Sequence, residues 1–234
     1  LRLPTGVPVV RLDDAGMSVQ MAEYVCHAVI RYFRELDVYA EEAQQAHWAF
    51  RRPRVRADFT VGVMGLGVLG QRVAQALRGF EFPVVGWSRT PRQVEGITCH
   101  AGAEGLSAFL GASQVLVNLL PLTPDTENIL NRDTLAQLRP GAYVINVARG
   151  AHLVDADLLA LLDSGHLAGA TLDVFRTEPL PAEHPFWQHR CITVTPHTSA
   201  RTLRDESVAQ IAGKIRALQR GEFITGVVDP LRGY

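Results

Sequence analysis

The feature that most constrains this 234-residue chain is the run Val61-Gly-Val-Met64-Gly65-Leu66-Gly67-Val68-Leu69-Gly70. A short apolar β-rich stretch leads into three glycines spaced G-x-G-x-x-G, and a helical pattern starts at Val68. That order reads as strand, tight turn and helix, the opening of a βαβ unit. Gly65 permits the turn, Gly67 lets a pyrophosphate approach the backbone without a Cβ in the way, and Gly70 allows close helix–strand packing. The helix N-terminus adds free N–H groups and a partial positive charge of roughly half a unit. Glycines used for packing alone would give the same run. The strand–turn–helix context, with a second strand ending at the expected distance, favours a dinucleotide site.

The same alternation continues from Phe59 to about Pro196. Strands are expected at Thr60–Met64, Pro83–Trp87, Val115–Leu119, Tyr143–Asn146, Gly169–Leu172 and Ile192–Thr195. Helices are expected at Val68–Arg78, Glu104–Leu110, Arg132–Gln137 and Asp155–Ser164. Strands alternating with helices require right-handed crossovers, so the fold class is α/β with a doubly wound parallel sheet. Ser18–Trp48 reads as one long amphipathic helix, with Met21, Val25, Val29, Tyr32/Phe33, Leu36 and Tyr39/Ala40 at three- and four-residue steps. Arg51-Arg52-Pro53-Arg54 breaks it, and Ser199–Arg220 reads as a closing helix ending at Gly221. Three regions follow: 1–56, a sheet domain at 57–198, and a tail at 199–234.

Composition bounds the partners. The chain is 47% hydrophobic and 20% charged with a formal net charge of −1, which suits a globular core and gives no electrostatic footprint for nucleic acid or an anionic membrane. Its apolar runs are too short to cross a bilayer, and no signal peptide is legible. Cys26, Cys99 and Cys191 are odd in number and widely spaced, so neither a metal site nor a disulfide framework is expected and a reducing cytoplasm is the default. The first residue is Leu1 rather than Met, consistent with a longer parent protein.

The end of the second strand bears on cofactor choice. A free ribose 2′-hydroxyl usually meets an acidic residue about 20 positions past the glycine turn. Here Ser88 stands there, in Trp87-Ser88-Arg89-Thr90, with Arg92 close behind and no carboxylate. A guanidinium suits a 2′-phosphate, which a carboxylate would repel, so NADPH is expected over NADH. Solvated surface arginines are the plain alternative.

Three further strand ends carry polar groups: Asn146-Val147-Ala148-Arg149-Gly150, Asp173-Val-Phe-Arg-Thr-Glu178-Pro179, and Thr195-Pro196-His197-Thr-Ser199. Reducing a 2-keto acid requires a hydride, a cation to hold the carboxylate and polarise the carbonyl, and an acid to protonate the nascent alkoxide. Arg149 can be the cation and His197 the acid, with Glu178 favouring the charged ring and fixing it. Singly each is ambiguous, and a lone His after a strand is more often structural; beside the dinucleotide turn, the balance reverses.

These segments resemble the D-isomer-specific 2-hydroxyacid dehydrogenase family, in the Asn146–Gly150 block, Leu172-Asp173-Val-Phe-x2-Glu178-Pro179 and Thr195-Pro-His197. The spacing fits as well, with 29 residues from Arg149 to Glu178 and 19 from Glu178 to His197. Asp14-Ala-Gly16-Met17, Asn118-Leu-Leu-Pro121, Glu178-Pro-Leu-Pro181 and Gly233-Tyr234 are similar to the glyoxylate- and hydroxypyruvate-reducing branch. The resemblance implies a Rossmann domain, a homodimer joined through the 18–48 helix and arm, and reduction of glyoxylate to glycolate and of hydroxypyruvate to D-glycerate. It implies Arg149 and His197 on the substrate, with Glu178 as the partner of His197 and Asp173 on the nicotinamide carboxamide. Gly65, Gly67, Val68, Leu69, Gly70, Trp87, Ser88, Arg89, Thr90, Arg92, Leu120, Pro121, Thr126, Val147, Ala148 and Ser199 complete the implied cofactor set. The family's flavodoxin-like substrate lobe is mostly missing, residues 1–16 resembling its last strand and turn. Trp48 is expected to pack within the arm, the alternative being an approach to a partner's site. Other hydroxyacid dehydrogenases (the phosphoglycerate type, for example), a non-catalytic corepressor-like dinucleotide binder and an inactive cofactor-binding remnant stay open as alternatives.

Overall fold

A computed structural model describes residues 7–228. Seven strands form its sheet: β1 Val61–Met64, β2 Val84–Ser88, β3 Thr98–Ala101, β4 Val115–Asn118, β5 Ala142–Asn146, β6 Leu167–Leu172 and β7 Ile192–Val194. The order is β3-β2-β1-β4-β5-β6-β7, and every pairing is parallel. All carboxyl ends therefore lie along one edge. The order reverses between β1 and β4, which opens a crevice where doubly wound sheets bind ligands.

The helices are α1 Met17–Phe33, α2 Leu36–Gln44, α3 Val68–Gly79, α4 Gly102–Ala112, α5 Arg132–Leu135, α6 Asp155–Asp163 and α7 Arg204–Gln219. Successive strand residues point to opposite faces, and β1, β4 and β5 are buried at every position. Val61, Val63, Val115, Val117 and Ile145 meet α1 and α3 on one face. Met64, Leu116, Val144, Ala170 and Leu172 meet Phe109 and Leu110 of α4 and Leu158, Leu161 and Leu162 of α6 on the other. Near-continuous apolar strands are what a sheet covered on both sides requires. α1 seats Met21, Val25, Val29 and Phe33 at helical spacing, and the Tyr32 ring stacks on Tyr143 at 4.5 Å between centroids.

The structure departs from expectation at four places. The long helix over 18–48 is two helices, because Glu35 adopts a left-handed φ of 52° between them. Arg31 pairs with Asp37 across the break, while Arg51 reaches back to Glu35 at 3.0 Å. β3 is a seventh strand that the sequence reading passed over. The closing helix begins at Arg204 rather than Ser199, since Ser199 N–H and Leu203 N–H donate instead to Asp173 and Ala15. Trp48, expected to pack, is 100% exposed, with Phe50 beside it at 86%. Gly233 and Tyr234 lie outside the described residues. No helix among the described residues is long and apolar enough to cross a membrane.

Candidate cofactor and active site

The glycine turn is built as its spacing requires. Gly65 has φ 105°, and a Cβ there would lie 2.8 Å from the Leu119 carbonyl group. A Cβ on Gly70 would sit 1.8 Å from Gly65 O. Gly67 differs, since a Cβ there would meet nothing within 4 Å. Internal packing therefore explains two of the glycines and not the third, which faces open space at the start of α3. That helix has no side-chain cap and no acidic residue in its first turn, so its leading N–H groups are available to a phosphate. Val68 is exposed at this end, and Leu69 packs partly against the core.

At the end of β2, Ser88 is buried and its hydroxyl donates to Thr90 O at 2.8 Å. Arg89, Thr90 and Arg92 are exposed just beyond it. Trp87 lies in the core, its indole N–H donating to Gly102 O at 2.9 Å, so it can offer a ligand little beyond its backbone.

On the other side of the switch point, Leu120, Val147 and Ala148 are buried and Pro121 is exposed. Thr126 folds the intervening loop by donating to Pro121 O at 2.8 Å and accepting from Thr123 N–H at 2.8 Å. Arg149 follows β5 with extended backbone and an exposed side chain; its Nη1 donates to Ala148 O at 2.6 Å.

His197 Nδ1–H donates to Glu178 Oε2 at 2.8 Å, and Phe175 N–H donates to Glu178 Oε1 at 2.9 Å. Partial burial pushes the Glu178 carboxyl up. Its His197 and Phe175 hydrogen bonds and the positive charges of His197 and Arg149 outweigh that and hold it below the usual glutamate value. With Nδ1 committed to the carboxylate, Nε2 is the nitrogen left to exchange a proton with a substrate.

Asp173 supports this arrangement from beneath. It is fully buried, and its carboxylate accepts from Thr195 Oγ1 at 2.5 Å, Thr198 N–H at 2.8 Å and Ser199 N–H at 2.8 Å. Its carbonyl accepts from His197 N–H at 2.8 Å. Tyr24 of α1 extends the chain of bonds, its hydroxyl 2.5 Å from Thr195 Oγ1, and burial raises the Tyr24 pKa to about 12. Tyr24 thus stays a neutral donor. The sequence reading missed it, since its only signal was an ordinary helix position. It also missed His152, which is fully buried with Asn118 and Asn146 beneath the loops that follow β4 and β5; the two asparagines stand in the quoted motifs, where they were given no role.

A parallel sheet with a glycine turn at its switch point and a cation and a carboxylate-paired histidine on the same edge defines an oxidoreductase of the nicotinamide-dinucleotide-binding class. Sequence comparison makes this specific. Residues 26–199 match the D-isomer specific 2-hydroxyacid dehydrogenase, NAD binding domain. The chain belongs to that family. The glyoxylate/hydroxypyruvate reductase A of Serratia proteamaculans (strain 568) is 53% identical over 232 residues, which span 99% of this chain and 74% of that protein. The Yersinia enterocolitica protein of the same name is 51% identical over the same shares. Among solved structures, a D-isomer specific 2-hydroxyacid dehydrogenase from Xanthobacter autotrophicus Py2, in complex with NADPH and MES, superposes with TM-score 0.95 at 44% identity. It matches 100% of this chain and 96% of that one. An NADPH-dependent glyoxylate/hydroxypyruvate reductase from Sinorhizobium meliloti, in complex with NADP and sulfate, gives 0.94 at 40% identity, over 99% of this chain and 74% of that one.

Proposed function

We propose that the chain is the cofactor-binding part of an NADPH-dependent reductase of small 2-keto acids, with glyoxylate and hydroxypyruvate as substrates. The observation that carries this reading is the His197–Glu178 pair, held at 2.8 Å on the same sheet edge as Arg149 and the glycine turn. When bound, the nicotinamide supplies the hydride. Arg149 binds the substrate carboxylate and polarises its keto oxygen. The His197 Nε2 proton passes to that oxygen, and Glu178 stabilises the ring's charge and orientation. The product is the 2-hydroxy acid.

The cofactor's phosphates fit the uncapped start of α3 and the open space at Gly67. Ser88, Arg89 and Arg92 are assigned to the 2′-phosphate. Asp173, fully buried with three of a carboxylate's roughly four acceptor positions used on its own turn, is assigned to the nicotinamide carboxamide through the remaining one. The regions are assigned as 57–198 for the cofactor, with 1–56 and 199–234 serving a substrate lobe and a partner subunit. The relatives' further quarter of chain supplies that lobe, and exposed Trp48 and Phe50 on the arm after α2 serve a homodimer in the cytoplasm. The Xanthobacter relative, described in complex with NADPH, supports cofactor binding by this region of the family's chain.

The test is a panel of keto acids with NADPH and NADH, run on this chain and on its longer parent. The chain is expected to bind NADPH saturably and the parent to turn over glyoxylate and hydroxypyruvate. Arg149→Ala or His197→Ala in the parent should lower kcat/KM about a thousandfold. Full turnover by either variant refutes the mechanism.

A further inference from the structure

The buried polar residues beneath the cofactor edge form a closed set. Asn118 ends β4 and Asn146 ends β5, and the two are register partners. Asn118 Nδ2 donates one hydrogen to Asn146 Oδ1 at 3.0 Å and the other to His152 Nδ1 at 3.0 Å. Asn118 Oδ1 accepts from Leu120 N–H at 3.2 Å. Asn146 Oδ1 also accepts from Ala148 N–H at 3.3 Å, and its Nδ2 donates to Arg149 O at 3.2 Å. Because His152 Nδ1 accepts, the ring's proton sits on Nε2, which faces Pro121 O at 3.3 Å. His152 N–H donates to Arg149 O at 3.2 Å as well. One imidazole thus joins the loop after β4 to the loop after β5, with each of its two nitrogens satisfied.

We infer that His152 is a positioning residue: a neutral bridge that sets the spacing between Leu120-Pro121 and Val147–Arg149, and so shapes the nicotinamide end of the cofactor site. The inference rests on the cofactor reading above. Its geometry demands a neutral ring, because a proton on Nδ1 would confront the Asn118 amide hydrogens. The surroundings supply that condition. Burial lowers the His152 pKa most strongly, the Pro121 and Arg149 backbone bonds oppose this, and the Arg149 charge lowers it further. A glutamine can also present one acceptor and one donor, whereas phenylalanine fills the space with neither.

The experiment compares NADPH with 2′,5′-ADP, which carries the adenosine half of the cofactor and lacks the nicotinamide. Wild type, His152→Phe and His152→Gln are titrated with both ligands by calorimetry. In His152→Phe, NADPH should bind about tenfold more weakly, because Asn118 and Pro121 lose their buried partner. Binding of 2′,5′-ADP should be unchanged, and His152→Gln should recover most of the NADPH affinity. A general loss of structure would weaken both ligands together, which would overturn the inference, as would an unchanged NADPH affinity in His152→Phe. If the Phe variant does not fold, His152→Asn carries the same test, since it keeps the Asn118 acceptor and is too short for Pro121. A wild-type chain that binds neither ligand overturns the cofactor reading and this inference with it. One that binds both, with unaltered variants, overturns the inference alone.

Discussion

Helices α3 and α7 look alike on paper and sit differently in the molecule. α3 buries Gly70, Val73, Ala74 and Leu77 against the sheet and α1. α7 is longer and buries no residue, although Val208, Ile211, Ile215 and Leu218 recur at helical spacing along it. Polar contacts tie α7 down instead: Lys214 Nζ pairs with Asp13 at 3.0 Å and donates to Arg11 O and Thr225 O at 2.9 and 2.7 Å. The apolar period of a helix tells which face wants cover. It does not tell whether the cover belongs to the same stretch of chain.

The contrast can be broken by substitution, starting from the seated side. Gly70→Ala places a methyl 1.8 Å from Gly65 O, a backbone atom that cannot swing aside, so the largest loss is expected there: about 4 kcal/mol or failure to fold, read by urea denaturation. Leu77→Ala, at a fully buried position, should cost about 2–5 kcal/mol. Gly67→Ala separates binding from stability. Its methyl meets nothing in the chain, so the unfolding midpoint should hold while NADPH binds about tenfold more weakly. Equal affinity there would remove the argument that Gly67 exists for a ligand.

The smallest effects belong to pH and to α7. The unfolded His152 ring takes a proton near pH 6.5 and the buried ring at a lower value. Its contribution is therefore complete above about pH 6.5 and is lost as pH falls through the folded value. Denaturation midpoints should fall less steeply with acid in His152→Gln than in wild type. Ile215→Ala, on the exposed stripe, should change stability by no more than about 0.5 kcal/mol in this chain. A larger loss would mean that α7 is seated after all.

The same contrast explains what could be read from sequence. Six strands and their helices were legible because apolar runs and glycine punctuation are local signals. β3, with the sequence Thr-Cys-His-Ala, is a half-exposed edge strand with a single partner and no apolar run to announce it. The break at Glu35 involves neither Gly nor Pro and preserves the apolar period into Leu36 and Tyr39; the Arg31–Asp37 pair spans it, and Arg51 reaches back to Glu35 from beyond α2. Arg149, Glu178, His197 and the glycines were legible as motifs, and the structure brings them to one edge. The Asn118–Asn146–His152 set was not, because it exists only once β4 and β5 pair in register. Tyr24 reaches Thr195 across 171 positions for the same kind of reason.

His197 itself adopts φ 53°, a left-handed backbone that histidine, asparagine and aspartate tolerate better than most residues. Alanine there removes the imidazole and also puts about 1–2 kcal/mol of conformational cost on the turn. Asparagine accepts the same backbone and cannot relay a proton in the ring's place. It is therefore the cleaner substitution for testing the role proposed for His197, because a change in turnover would then not be confounded with strain in the turn.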